Sequence, residues 1–178
     1  GRDRDLIDKE MKIVKTITSQ IRFTADYEKM GVPEPEWQNV AAAVRKAAAA
    51  LPVQGIAIRV DPQDLEVFAD PLLYKVFYNL IDNALRYGGS GVKNIVVTSR
   101  ETPGGLVLAF EDDGAGIPES DRRRLFQRGF GKNTGLGLFL SREILAITTI
   151  TIAERGEPGK GARFEMVVPK GVFRFSGV

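Results

Sequence analysis

The 178-residue chain contains no cysteine and no histidine. Without thiols there are no disulfides and no thiolate metal sites. Without imidazoles there is no His-based triad and no catalytic zinc centre of the usual kind. No apolar run approaches the roughly 20 residues that span a bilayer. Charge of one sign is also scarce: 25 basic residues offset 23 acidic ones, for a net +2, and the two signs are interspersed. That balance offers no basic patch for nucleic acid and no acidic disordered tail. No signal peptide is recognisable, and the first residue is Gly1 rather than Met. The expectation is a soluble, cytoplasmic piece of a longer protein. What remains is a 43% apolar chain with room for one ordinary domain and an extra element.

Asp3 to about Lys29 reads as one helix. Leu6, Met11, Ile13, Ile17, Ile21 and Thr24 recur at roughly helical spacing, and Ile7 and Val14 broaden the stripe. Such a stripe fits either a separate helical partner or packing on the chain's own domain. Gly31 suits a C-terminal cap, and Pro33 and Pro35 end the helix. Beyond this break the pattern is that of one α/β unit. Trp37 to Leu51 is alanine-rich and expected helical. Ile56 to Val60 and Glu66 to Ala69 alternate like short strands. Asp70-Pro71 reads as an N-cap and first helical residue of a helix reaching Tyr87. Ile95 to Arg100 and Leu106 to Glu111 flank a Pro-Gly-Gly turn as an antiparallel pair. Pro118 to Thr134 is polar, basic and glycine-containing, and reads as a mobile loop with a short helix inside. Leu136 to Leu145 is expected helical. Ile150 to Glu154 and Arg163 to Val168 are expected strands, and Val172 to Phe175 is either a last strand or tail.

Three short stretches carry chemistry. Asn79 and Asn83 are four apart, so both amides share one helix face. An amide oxygen is a hard, moderate ligand that suits Mg²⁺. One such residue alone fits a polar surface position equally well. Glu111 to Pro118, Glu-Asp-Asp-Gly-Ala-Gly-Ile-Pro, leaves a strand and enters a glycine turn. A carboxylate there can accept from the exocyclic amine of adenine, and glycines let backbone approach the base. Alone, it is also an ordinary acidic turn. Gly131 to Leu138, Gly-Lys-Asn-Thr-Gly-Leu-Gly-Leu, sets glycines at a helix start. Free N–H groups and the helix dipole there favour phosphate. In this order, the three read as a site for ATP and magnesium.

These stretches resemble the N, G1 and G2 boxes of the histidine-kinase-like ATPases. Leu125 to Phe130 resembles the F box between them, and Gly159 to Phe164 the glycine motif near the domain's end. The resemblance covers about residues 37 to 169. It implies an α+β fold, the two-layer α/β sandwich known as the Bergerat ATP-binding fold. A mixed sheet would carry helices on one face, with ATP held beneath a flexible lid. Carried over by position, Asn83 matches the magnesium-binding asparagine, and Asn79 the upstream one that supports metal and phosphate. Arg86 matches a basic position that reaches phosphate, and Tyr87 one that packs near the nucleotide. Asp112 matches the adenine-reading carboxylate, with Gly114, Gly116 and Ile117 beside it. Asp113 stands where the family usually has asparagine. Lys132, Thr134, Gly135, Leu136, Gly137 and Leu138 match the phosphate end. Arg122, Arg123, Arg124, Arg128 and Lys132 in the lid are expected to repel one another until a triphosphate arrives.

ATP-hydrolysing branches of the superfamily carry glutamate four residues before the metal-binding asparagine, as base for the attacking water. This chain has Asn79, and an amide cannot take that proton. Sensor histidine kinases usually have asparagine there. The resemblance then implies residues 1–30 as the second helix of a dimerisation hairpin, 31–36 as linker and 37–178 as the catalytic domain. It also implies a phosphoacceptor histidine outside this chain, a homodimer through the hairpin and a response regulator receiver domain as partner. An ATP-driven conformational ATPase and a non-catalytic nucleotide-binding module are the alternatives.

Overall fold

The computed structural model describes residues 1–131 and 135–177. Helix α1 (Arg2–Lys29) runs 28 residues and ends at Met30, after which Gly31 takes a left-handed φ of 75°. Strand β1 (Glu36–Asn39) follows, then α2 (Val40–Ala49), β2 (Ala57–Asp61), β3 (Leu65–Ala69) and α3 (Leu73–Tyr87). Next come β4 (Asn94–Thr102), β5 (Gly105–Asp112), the one-turn α4 (Glu119–Arg122) and α5 (Gly137–Ala146). Strands β6 (Thr151–Glu154), β7 (Arg163–Pro169) and β8 (Phe173–Phe175) complete the described chain.

Five strands form a mixed sheet in the order β2-β4-β5-β7-β6, parallel only between β2 and β4. Alternation sets its buried face. Ile95 and Val97 of β4, Leu106, Leu108 and Phe110 of β5, and Phe164, Met166 and Val168 of β7 all point inward. The pairings Val97 with Phe110 and Phe110 with Phe164 put large rings in one row. Helix α3 lies between α2 and α5 over that face. Its buried residues Leu73, Val76, Phe77, Leu80, Ile81 and Ala84 keep helical spacing.

Two expectations are corrected. Residues 37–39 belong to strand β1 and are not the start of a helix. Asn39 is the reason: its side-chain oxygen accepts from the Ala42 N–H at 2.8 Å, so the helix begins after it. The regular turns of α3 start at Leu73, with Leu72 and not Asp70 flanking them. The fully buried Asp70 carboxylate still accepts from the Leu72 N–H just ahead of the helix and, across the domain, from the Gly31 N–H, both at 2.8 Å. Strands β2 and β3, neighbours in sequence, join different sheets. Strand β3 lies between β1 and β8 in a separate three-stranded antiparallel sheet.

Most of the α1 stripe is solvent-exposed: Leu6, Ile7, Met11, Ile13, Val14, Ile17 and Ile21 are all at least half uncovered. Only the last turns touch the domain. Phe23 is buried and approaches the Phe139 ring, while Asp26 lies 3.3 Å from Lys75.

Candidate functional site

A cleft of about 1340 Å³ opens between α3, the turn after β5 and the start of α5, and continues between the 117–131 segment and the face of α1 from Lys12 to Asp26. Asn79, Asn83, Arg86, Tyr87, Asp112, Gly116, Ile117, Gly135, Leu136, Gly137 and Leu138 all line it. Gly114 does not line it and packs against Gly88. Lys132 and Thr134 fall outside the described residues.

Helix α3 supplies the amide face. The Asn79 side-chain N–H donates to the Gly137 carbonyl at 2.9 Å and to Ser141 Oγ at 3.0 Å. Ser141 is fully buried and donates in turn to Gly137. Asn79 therefore ties α3 to the first turn of α5. A Cβ on Gly137 would stand 3.2 Å from the Asn79 amide oxygen, so glycine keeps the two helices close. Asn83, one turn on, is half-buried and makes no side-chain hydrogen bond among the described residues. It lines the cleft. Arg86 is held by Asp82, with its Nε 2.9 Å from both carboxylate oxygens. That hydrogen bond raises the guanidinium above its ordinary value. Tyr87 lies at the exposed rim.

The turn after β5 supplies a carboxylate. Asp112 is 8% exposed. Its Oδ1 accepts from the Gly114 N–H at 2.9 Å and the Ala162 N–H at 3.3 Å, while Oδ2 has no partner among the described residues. Burial pushes its pKa up, partly offset by those two N–H donors. Asp113, next along, points the other way. It accepts from the Lys93 and Asn94 N–H groups and from the Asn94 amide at 2.8–3.0 Å, which holds it down at about 2. The turn is close-packed: a Cβ on Gly114 would sit 2.6 Å from the Gly88 Cα, and one on Gly161 would overlap the Asp112 carbonyl.

A family profile described as histidine kinase-, DNA gyrase B-, and HSP90-like ATPase matches residues 69–172. The chain belongs to that family. Within it, the similar proteins are sensor kinases. Alginate biosynthesis sensor protein KinB of Pseudomonas aeruginosa is 41% identical over 100 residues, covering 53% of this chain and 17% of KinB. Adaptive-response sensory kinase SasA of Crocosphaera subtropica is 36% identical over 117 residues, 61% of this chain and 31% of SasA. Histidine kinase ThkA in complex with response regulator protein TrrA superposes with a TM-score of 0.68 at 25% identity, over 93% of this chain and 50% of that one. Full-length ShkA in complex with AMPPNP gives 0.72 at 19% identity, over all of this chain and 40% of that one. The chain spans 17%, 31% and 37% of the first three curated relatives it matches. It is an ATP-binding domain of the sensor histidine kinase type, with the expected mixed sheet and long N-terminal helix.

Sequence reading missed Ser141, and it met Ala162 only as part of the Gly159–Phe164 motif. Both are silent as types; their contacts arise from where α5 and β7 land. The arginines 122–128 do not simply repel one another, as expected. Arg122 pairs with Glu154, Arg124 lies over the Phe130 ring at 4.6 Å, and Arg128 over Phe23 at 5.4 Å. Aromatic faces and one buried carboxylate take up the charge of these three; Lys132 lies outside the described residues.

Proposed function

We propose that this chain is the catalytic part of a sensor histidine kinase, passing the γ-phosphate of Mg²⁺-ATP to a histidine outside it. One observation carries the choice between transfer and hydrolysis. At the position where a hydrolase needs a base stands Asn79, whose N–H is committed to Gly137 and Ser141. It has no proton-accepting group for water. Phosphoryl transfer needs chiefly positioning and charge, which this cleft can offer.

Asp112 reads the adenine amine through its free oxygen. The glycine turn at 114–116 gives the base its backbone wall, with Ile117 and Tyr87 alongside. Asn83 holds Mg²⁺ through its amide oxygen, with Asn79 in support; an unpartnered amide in a phosphate cleft fits that ion. The metal, when bound, screens charge on the phosphates. Arg86 serves the phosphates once its grip on Asp82 is exchanged, and the N-terminus of α5 at Leu136–Leu138 faces them with free N–H groups. Lys132 and Thr134 belong to the same phosphate end.

Residues 1–30 act as the second helix of a dimerisation hairpin, 31–36 as linker and 37–178 as the catalytic domain. The uncovered stripe of α1 supports this, since a helix packed on its own domain would bury it. The partners are a second copy through the hairpin and the receiver domain of a response regulator, in a cytoplasmic setting. The test is incubation with γ-labelled ATP and Mg²⁺, with and without a separate hairpin carrying the parent's histidine. Label should appear only on the hairpin, as acid-labile phosphate. Stoichiometric acid-labile label on this chain, or steady turnover to ADP without transfer, would reject the reading.

A further inference from the structure

Glu154 ends β6 with its side chain 1% exposed. A lone carboxylate so buried is costly. Its Oε1 accepts from the Gly156 N–H at 2.8 Å and the Arg163 N–H at 3.2 Å. Its Oε2 lies 2.8 Å from Arg122 Nε, an ion pair without hydrogen-bond alignment. The same guanidinium donates through Nη2 to the Gly156 carbonyl. A Cβ on Gly156 would come 2.6 Å from the Glu154 oxygen, so the glycine is part of the arrangement.

The two partners belong to different segments. Arg122 closes α4, at the root of the segment 118–131 that carries Arg124 and Arg128 along the cleft. Glu154 and Gly156 begin the glycine loop 155–162. That loop is bonded to the Asp112 turn: the Gly159 N–H donates to the Ala115 carbonyl at 3.1 Å, the Asp112 N–H to the Ala162 carbonyl at 3.0 Å, and the Ala162 N–H to the Asp112 carboxylate. Arg122 itself does not line the cleft.

We propose that Arg122 and Glu154 are positioning residues for nucleotide: their ion pair anchors the root of the 118–131 segment to the glycine loop that supports Asp112. The base-reading turn and the arginine-bearing segment are thereby held in one register. This rests on the reading of the cleft as an ATP site. Cutting the link leaves the base contacts in place and loosens the root of the segment, whose middle is still held by Phe126 buried against Phe164. The loss therefore falls on the γ-phosphate more than on the rest of the nucleotide.

The test compares Mg²⁺-ATP with Mg²⁺-ADP by calorimetry on the 178-residue chain, with thermal unfolding in parallel. Arg122→Met leaves Glu154 buried and unpaired, so it should lower both Tm and ATP affinity. Adding Glu154→Gln removes the stranded charge while Oε1 still accepts the two N–H donors. The double variant should recover Tm yet keep a preference for ATP over ADP reduced by at least about fivefold, a typical coupling between sites. It also remains decisive where the single variant does not fold. A merely structural pair would recover stability and preference together. A wild-type ATP-to-ADP ratio in the folded double variant would overturn the anchor alone. Failure of the wild-type chain to bind Mg²⁺-ATP would overturn the ATP-site reading and this proposal with it.

Discussion

At the end of the cleft assigned to the base, backbone does most of the work. Asp112 is buried, one oxygen is committed to the N–H groups of Gly114 and Ala162, and glycines at 114 and 161 leave no room for a side chain. At the end assigned to phosphate, side chains do it. Asn83 is half-buried and unbonded among the described residues, and Arg86 is exposed and bound to Asp82. One end is fixed without a ligand; on the proposed reading, the other would be completed by one. Pre-organisation costs little at binding, so specificity belongs to the fixed end. Adaptable charge suits the end where the phosphate count changes.

If that contrast holds, the largest effect comes from breaking the fixed end. Gly161→Ala places a Cβ against the Asp112 carbonyl at a φ of 96°. It should cost about 2–3 kcal/mol of stability, the scale for strained backbone with a clash. Denaturant unfolding measures this, and a loss within error would show that the turn is soft. Asp112→Asn comes next, at roughly 1–3 kcal/mol of ATP affinity, the scale for losing a charged hydrogen-bond partner. It should also weaken discrimination against guanine, and unchanged calorimetric affinity would mean that another group reads the base.

A pH series sharpens the same point. The pKa of Asp112 is raised by burial, so the folded chain holds its proton to higher pH than the unfolded chain does. Its contribution to stability therefore falls as pH rises through that window. Nucleotide affinity runs the opposite way, weakening as acid protonates the reading carboxylate, and Asp112→Asn should flatten that dependence. Asp113 has the reverse sign. Held at about 2, it stabilises the fold above the usual carboxylate range, and that contribution is lost as pH falls towards 2.

At the adaptable end, Asn83→Ala should leave the fold intact and abolish most of the gain in ATP affinity on adding Mg²⁺, because that ion takes few protein ligands beside phosphate oxygens. Equal gains in wild type and variant would remove Asn83 from the metal. The smallest effect belongs to neither end. Thr149, after α5, adopts a φ of 63°, a left-handed backbone that a β-branched residue dislikes. Thr149→Gly should relieve about 1 kcal/mol of strain and raise Tm without moving ATP affinity. A shift in affinity would show that the far end of α5 is coupled to its phosphate end.

The Asn79–Asn83 pair, the acidic glycine turn and the glycine-led start of α5 were legible as candidates for one cleft because each is local. A helix fixes which residues share a face, and a glycine turn fixes where backbone can be approached. The long helix and the β4–β5 pair were legible for the same reason, their periods being written in consecutive residues. What tertiary structure alone decided lies between segments far apart in the chain. It sent β2 and β3 into different sheets, turned residues 37–39 from helix to strand against β3, and brought Ser141 to Asn79, Ala162 to Asp112 and Glu154 to Arg122. Periodicity says which face of an element is buried but not which element covers it. Those pairings depend on how the strands order themselves and where each loop returns, and no spacing within a single segment encodes them.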